Sequence, residues 1–261
     1  MKDGEIAVSE HVGFIHHFDG TTWHSYPASN HMYDAHFDNS GTLWVCGIGY
    51  LAEQVSGSNW KTYRRYNSGL ADYFINDIFI DSEDRKWFAS GNGGHSFFND
   101  TIWRTFGKHN NGFEPYPFPT TSVGAATAQD TAGYIWMAVT GTAEGIARWN
   151  EAQNIFDIVY NQGNTGMAMQ SIRAINIDSA NRIWVGTYGS GIHMYDGTQW
   201  HWIESINSSL INDHILQLSV DYNGDVWAGT QSGVVHFQNG STTGILYTTS
   251  NSGLLSNYVN E

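Results

Sequence analysis

The chain has 261 residues, and 11 Lys and Arg residues stand against 25 Asp and Glu residues, for a formal net charge of −14. A chain this acidic offers no basic patch for a phosphate backbone, which argues against nucleic acid as a partner. Residues 1–4 are not followed by the apolar core of a signal peptide, and no apolar run is long enough to span a bilayer. We therefore expect no membrane insertion by this segment. Cys46 is the single cysteine, so there is no internal disulfide framework.

A turn followed by a strand recurs along the chain. Its clearest copy is residues 221–229, where Asp221 can accept backbone N–H bonds and Gly224 tolerates a positive φ. Five copies place an Asp six residues before a Trp: Asp38 and Trp44, Asp81 and Trp87, Asp130 and Trp136, Asp178 and Trp184, Asp221 and Trp227. The intervals between these Trp residues are 43, 49, 48 and 43 residues, which indicates a propeller or a repeat array.

Each repeat reads as four strands, A to D. Strand A precedes the Asp turn, strand B holds the Trp, strand C follows a glycine turn, and strand D follows a second turn of the Asp-Gly or Asn-Gly kind. In one repeat these strands are predicted at residues 172–177, 183–187 and 191–195, with strand D beginning at Trp200. Such a meander cannot cover both of its faces, so we expect the Trp residues to pack between neighbouring blades.

A sixth copy begins the chain, because residues 4–8 align with residues 224–228 and Ala7 stands where Trp is expected. This repeat has no strand A before it, whereas residues 254–261 begin a strand A with nothing after it. We therefore predict one domain over residues 1–261. Its predicted fold is an all-β, six-bladed β-propeller of four-stranded antiparallel blades, closed by pairing of the C-terminal strand with the N-terminal blade.

The motif Asp-x-x-Gly-x-Leu/Ile/Val-Trp-x-Gly-Thr, followed by Gly-Ile-x-x-Tyr-Asp-Gly, resembles the two-component regulator propeller repeat. Its best copies are residues 178–187 with 191–197, and residues 221–230. The resemblance implies a ligand-sensing or interaction propeller of the kind found in extracytoplasmic sensor regions of bacterial hybrid histidine kinases and in secreted relatives, hence a periplasmic or secreted location. It assigns no catalytic residue. Virginiamycin B lyase and related propellers also place an aromatic residue after a glycine turn, but their catalytic motif does not match this chain residue by residue.

The D–A connectors and the B–C turns should open on one face of the propeller, and they carry the residues that vary between repeats. Aromatic walls with a few convergent polar groups suit a small molecule or a saccharide. We expect a neutral or weakly charged polar ligand such as a carbohydrate, because the charge of −14 disfavours a strongly anionic one unless Arg173 anchors it. The predicted ligand-binding residues are His31, Tyr33, Tyr50, Tyr73, Gln170, Arg173, Tyr188, His214, Asn257 and Tyr258.

A metal site is a weaker hypothesis, although the chain has 12 His residues. His16, His193 and His236 are predicted to share one position of strand C and to be structural. Three histidines on the connector face could join an acidic neighbour in a zinc-like site, but no short ligand spacing supports it, so no metal and no cofactor are predicted. These histidines are His11, His31 and His214, with Glu10 or Asp213 as the acidic neighbour.

Three functions stay open at this point. The first is a ligand-sensing module without catalysis, the second a protein-interaction or structural propeller, and the third a lyase or hydrolase that uses histidines and carboxylates at the mouth of the channel. The first predicts binding without turnover, the second an exposed apolar patch, and the third catalytic groups within hydrogen-bond reach of one another. Neither a Gly-x-Ser-x-Gly elbow nor a distinctive carboxylate pair favours the third.

Overall fold

The computed structural model describes residues 6–9, 14–27, 31–107, 123–140, 144–166, 168–169 and 171–259. These residues form antiparallel sheets joined by tight turns, with one short helix, α1 (Gln162–Thr165). The N-terminal sheet has three strands, β1 (Ile6–Ser9), β2 (Phe14–Phe18) and β3 (Trp23–Pro27). No described helix combines the length and the apolar character needed to cross a membrane.

Five four-stranded blades follow the N-terminal sheet, and in each the strands pair in chain order. The first blade contains β4 (Met32–Phe37), β5 (Leu43–Gly47), β6 (Tyr50–Ser56) and β7 (Asn59–Tyr63), and the second contains β8 (Ile75–Ile80), β9 (Lys86–Ser90), β10 (Gly94–Phe98) and β11 (Trp103–Phe106). The third blade contains β12 (Val123–Gln129), β13 (Ile135–Thr140), β14 (Gly145–Asn150) and β15 (Ile155–Asn161), and the fourth contains β16 (Ile172–Ile177), β17 (Ile183–Thr187), β18 (Ile192–Tyr195) and β19 (Trp200–Ile203). The fifth blade contains β20 (Ile215–Val220), β21 (Val226–Thr230), β22 (Gly233–Phe237) and β23 (Ile245–Tyr247).

The all-β propeller with four-stranded antiparallel blades is confirmed, but the prediction of six such blades is wrong. Five blades have four strands, and they are the five repeats that carry both the Asp and the Trp. In the described part of the chain, the N-terminal sheet contains β1, β2 and β3, which correspond to strands B, C and D of its repeat. Closure of the propeller by the C-terminal strand stays a prediction.

The chain divides into two compact units, residues 1–127 and residues 128–261. In the first unit, apolar cores lie between successive sheets: Ile15 packs with Leu43 and Val45, and Trp44 packs with Ile78 and Phe88. In the second unit one core joins the fourth and fifth blades around Trp184, Leu218 and Phe237. The single domain over residues 1–261 stays a prediction.

The fixed spacing of six residues between Asp and Trp has a chemical cause. In each copy one carboxylate oxygen accepts backbone N–H bonds from the turn, as Asp130 Oδ1 does from Ala132 and Tyr134. The other oxygen accepts the indole N–H of the Trp, and at Asp221 the bond from Trp227 lowers the pKa of the carboxyl group. The N···O distances are 3.0 Å for Trp44, 2.7 Å for Trp87, 3.0 Å for Trp136, 2.9 Å for Trp184 and 3.1 Å for Trp227.

The prediction that three histidines share one position of strand C is wrong for one of them. His16 lies opposite Val8 and His193 opposite Val185, but His236 lies opposite Trp227 itself. The B–C turn of the fifth blade is one residue shorter than that of the fourth, residues 230–233 against residues 187–191, and a shift of one residue in register moves a side chain to the other face of a sheet. His236 therefore stacks on the Trp227 ring, with centroids 4.0 Å apart.

Candidate ligand-binding site

Strand A carries a β-bulge near its start in four blades. The pairing register shifts between Met32 and Asp34, and likewise between Ile172 and Ala174. A bulge bends the strand and redirects the extra side chain, and bulges occur often beside functional sites. The residues at the bulges are Tyr33, Asn76, Arg173 and Leu216, two of which belong to the predicted site.

The B–C turn of one blade meets the connector that leads into the next blade. In the second unit the Gly189 N–H donates to the Asp213 carbonyl oxygen at 2.8 Å, and Tyr188 forms a β-bridge with His214. In the first unit the Gly49 N–H donates to the Tyr73 carbonyl oxygen at 2.7 Å. The backbone therefore places turn and connector side chains next to each other, as the sequence predicted for these two kinds of segment.

Three side chains of the second unit meet around Tyr188. The His214 and Tyr188 rings pack edge to face, with centroids 4.5 Å apart and an interplanar angle of 70°. The Arg173 guanidinium lies over the same ring, 5.2 Å from its centroid. Gln231 Nε2 donates to the Tyr188 hydroxyl at 2.8 Å. We call Arg173, Tyr188, His214 and Gln231 the Tyr188 cluster.

The carboxylates near this cluster are occupied by the connectors. Glu144 Oε1 accepts the Thr140 hydroxyl at 3.3 Å and the Ser171 N–H at 3.4 Å. Asp213 accepts both the N–H and the hydroxyl of Ser205, at 2.6 and 3.1 Å. These bonds hold the two connectors that present Arg173 and His214.

Ser171 adds backbone strain at the same place. Its φ of +50° lies in the left-handed region that residues other than glycine seldom adopt. Its N–H is held by Glu144, and its carbonyl oxygen accepts the Tyr188 N–H at 3.0 Å. Strain of this kind persists only where neighbouring contacts impose it, and it is common at binding sites.

The predicted site residues of the first unit form a different arrangement. Tyr73 is 53% exposed and packs against Phe74, with ring centroids 4.3 Å apart. Tyr50 is half-buried, and burial raises the pKa of its hydroxyl group. The exposed His31 accepts the Ile48 N–H at its carbonyl oxygen, 3.1 Å away, so its backbone has a structural role.

The remaining predicted residues lie near the C-terminus or outside the described chain. Asn257 Oδ1 accepts the Thr249 N–H at 2.8 Å, which repeats the bond between Asp213 and Ser205 one blade earlier. Tyr258 is 55% exposed. Gln170 lies outside the described residues. Gln231 lies on a B–C turn, and the tertiary contact with Tyr188 shows its place in the cluster.

A second polar group lies at the Asp turn of the fifth blade. The potential ligand atoms of Asp221, Asp225 and His236 lie within 4.8 Å of one another. Each already has a partner in the protein: Asp221 binds turn N–H groups and Trp227, and His236 Nε2 lies 3.1 Å from Asp225 Oδ2. In other blades an arginine, such as Arg182, takes the position of Asp225 and binds the turn aspartate. The group therefore fits a structural variant of the turn.

Comparison with known families agrees with the motif. The two component regulator propeller model matches residues 166–189, which include β16 and β17. This match confirms the resemblance at one repeat. A comparison with curated protein sequences found no match.

Solved structures share the fold at low sequence identity. The extracellular domain of a hybrid two component system from B. thetaiotaomicron is 15% identical with a TM-score of 0.66, over 96% of this chain and 42% of that one. PorZ, a surface component of the type-IX secretion system of Porphyromonas gingivalis, is 15% identical with a TM-score of 0.70, over 100% of this chain and 42% of that one. Virginiamycin B lyase from Staphylococcus aureus is 12% identical with a TM-score of 0.69, over 90% of this chain and 78% of that one.

The chain spans less than half the length of the first two proteins. At these identities the likeness concerns the fold, which is common to proteins of different activity. The sequence motif identifies the kind of repeat, which the fold alone does not do. The chain is a β-propeller that carries the two-component regulator propeller repeat.

Proposed function

We propose that this chain is an extracytoplasmic ligand-binding module of a sensor, which takes a polar small molecule or a saccharide at the Tyr188 cluster without catalysis. The observation that carries the proposal is the Tyr188 ring, 38% exposed and flanked by the side chains of Arg173 and His214. An aromatic surface bordered by a few polar groups is the usual composition of such a site. The extracellular domains among the similar structures support a periplasmic or secreted location.

The bonds around the cluster favour binding over acid–base catalysis. A general base must be within hydrogen-bond reach of the proton that it removes. The Asp213 carboxylate next to His214 is already occupied by Ser205, and the Glu144 carboxylate by Thr140 and Ser171. These acids therefore serve as supports for the connectors.

A thermal-shift screen tests the proposal, with neutral saccharides and polar metabolites as probes and calorimetry on every hit. Tyr188→Ala removes the aromatic wall, and we expect it to weaken binding by about tenfold or more, as loss of a central aromatic contact does. Tyr66→Ala is the control, because Tyr66 is 85% exposed on a connector of the first unit. Hits whose affinity is the same in Tyr188→Ala and wild type would place the ligand elsewhere and count against the proposal.

A protein-interaction propeller is the second candidate, and exposed apolar side chains on the connectors favour it. Ile206 is 88% exposed, Ile211 54% and Leu255 101%. One similar structure, 12% identical with a TM-score of 0.62, is described as YCF48 bound to D1 peptide. If this candidate is correct, Ile206→Ser with Leu255→Ser should abolish capture of a protein partner while small-molecule binding is unchanged. Capture that survives both substitutions would reject it.

A further inference from the structure

Arg173 differs from most of the described basic residues in the use of its charge. Among the described basic side chains most are paired with acids: Lys61 with Glu53 at 3.0 Å, Arg85 with Asp81 at 2.6 Å, Lys86 with Asp100 at 3.0 Å, Arg148 with Asp157 at 2.9 Å and Arg182 with Asp178 at 2.6 Å. Arg173 forms no ion pair with any described residue, although acids outnumber bases 25 to 11. Its contact is the ring of Tyr188.

The contact with Tyr188 orients the guanidinium. A guanidinium that lies over an aromatic ring keeps its N–H edges available, and an arginine held in this way loses little rotamer freedom when it binds. Arg173 is itself exposed and sits at the bulge of β16. The fork of N–H donors is therefore presented to solvent from a fixed position.

The other groups of the cluster are also donors. Gln231 Nε2 donates to the Tyr188 oxygen, so the hydroxyl hydrogen of Tyr188 is available to an acceptor. The His214 ring packs edge-on to Tyr188 and can supply one more N–H. The nearby carboxylates of Glu144 and Asp213 are occupied by their own connectors. Among the described side chains at this place, the cluster therefore offers donors and lacks a carboxylate acceptor.

We propose that the Tyr188 cluster takes a ligand that carries a single carboxylate. Arg173 binds the carboxylate through two parallel N–H···O bonds, the geometry in which a guanidinium and a carboxylate match. Tyr188 packs against the carbon skeleton next to the carboxylate and donates its hydroxyl hydrogen. A monoanion meets less repulsion than a phosphate dianion from a chain with a net charge of −14. This inference rests on the proposed function and specifies its ligand class.

Matched pairs of probes test the proposal by NMR titration and calorimetry of the whole chain. Glucuronate is compared with glucose, and phenylacetate with phenylacetamide, so that one pair reports an acidic sugar and the other a non-sugar acid. Inorganic phosphate is a fifth probe. We expect at least one carboxylate to bind about tenfold more tightly than its neutral partner, and to weaken as salt is added.

Two variants of Arg173 test whether this residue causes the preference for the carboxylate. Arg173→Gln should remove the preference for the carboxylate, and Arg173→Lys should restore part of it, because an ammonium keeps the charge but not the fork. Arg65→Gln is the matched control, since Arg65 is also exposed and has no ion pair in the described part of the first unit. Unchanged urea unfolding of each variant shows that the fold is intact.

Several results would overturn the inference. Equal binding within both probe pairs, a preference that survives Arg173→Gln, or tighter binding of phosphate than of either carboxylate would each reject it. Binding of neutral saccharides that depends on Tyr188 without any carboxylate preference would reject the inference and keep the proposed function. Failure of every probe in this panel and in the earlier screen would reject both.

Discussion

The aspartate of each Asp turn holds two segments at once, because its two oxygens bind different partners. At Asp130, Oδ1 accepts the turn N–H groups while Oδ2 accepts the Trp136 indole. Trp136 is 4% exposed, so the indole bond is shielded from water. A turn and the strand after it are therefore fixed by one side chain.

Trp136→Phe should lower the free energy of unfolding by about 2–4 kcal/mol, because it leaves a buried carboxylate oxygen without its donor and removes ring volume. Urea unfolding followed by circular dichroism measures the change. Trp23→Phe is the control, since Trp23 is 54% exposed and should change stability by less than about 0.5 kcal/mol. Equal losses in the two variants would contradict a special role for the carboxylate bond.

His193 is a buried histidine of β18, between Ile192 and Met194. It is 2% exposed, and neither ring nitrogen has a hydrogen-bond partner of normal geometry among the described residues. Burial lowers the pKa of His193 to about 4, and the backbone of Ala168 offsets part of this shift. The folded protein therefore holds this ring in its neutral form.

Acid should destabilise the protein through this residue. The unfolded histidine has a pKa of about 6.5, so between pH 6.5 and 4 the unfolded chain binds a proton that the folded chain does not. Stability is complete above pH 6.5 and falls as the pH approaches 4, by about 2 kcal/mol between pH 7.5 and 5. Unfolding of wild type and His193→Leu at both pH values measures this difference. A stability gap between the two proteins that stays constant with pH would contradict it.

At the scale of the element, neighbouring Asp turns are linked where the fourth turn position is not glycine. Asp84 and Asn181 both have a φ of +64°. Each side chain accepts the N–H of the residue after the turn aspartate of the preceding copy, Asn39 at 2.7 Å and Thr131 at 3.0 Å. The bond between turns offsets the cost of the left-handed backbone.

Asn181→Ala should cost about 1–2 kcal/mol of stability, because alanine keeps the positive φ but loses the bond to Thr131. Asn181→Gly should cost less, since glycine accepts this backbone without strain. Urea unfolding gives both values. Asn154→Ala is the control for strain alone, because Asn154 has a φ of +55° in an exposed turn. If Asn154→Ala is as harmful as Asn181→Ala, the bond between turns contributes nothing.

At the scale of the whole molecule, the C-terminal segment packs onto the fifth blade. The Val259 N–H donates to the Thr230 carbonyl oxygen at 3.0 Å. A Cβ atom on Gly229 would lie 2.6 Å from the Val259 carbonyl oxygen, closer than van der Waals contact allows. Glycine at this position therefore permits the close approach of the two backbones.

Gly229→Ala should displace this segment and lower the melting temperature by about 2–4 °C, the shift that corresponds to a loss of about 1 kcal/mol in a chain of this size. The amide of Val259 should also exchange faster with solvent. Gly253→Ala lies in the same segment and is the matched control, because no described atom lies within 4 Å of the place that its new methyl group would take. Identical melting temperatures of the two variants would show that the contact at Gly229 contributes nothing to stability.

The sequence by itself determined what depends on short range. The distance of six residues from Asp to Trp reflects a hydrogen bond inside one turn and strand, so it predicted the strands at residues 172–177 and 183–187 correctly. The interval between the repeats predicted the propeller, because each repeat is a short-range unit of turns and strands. Arg173, Tyr188 and His214 were also predicted as site residues, because the register of the repeat places connectors and turns on one face.

Only the tertiary structure decided the features that depend on contacts between distant segments. It showed five four-stranded blades and a three-stranded N-terminal sheet among the described residues, because strand pairing depends on contacts between segments as well as on the motif. It placed His236 on Trp227, since a shift of one residue in the pairing register reverses the face of a strand. It also brought Gln231 to Tyr188, 43 residues away along the chain. A local motif fixes its own turn, but register and pairing across blades are set by packing of the whole unit.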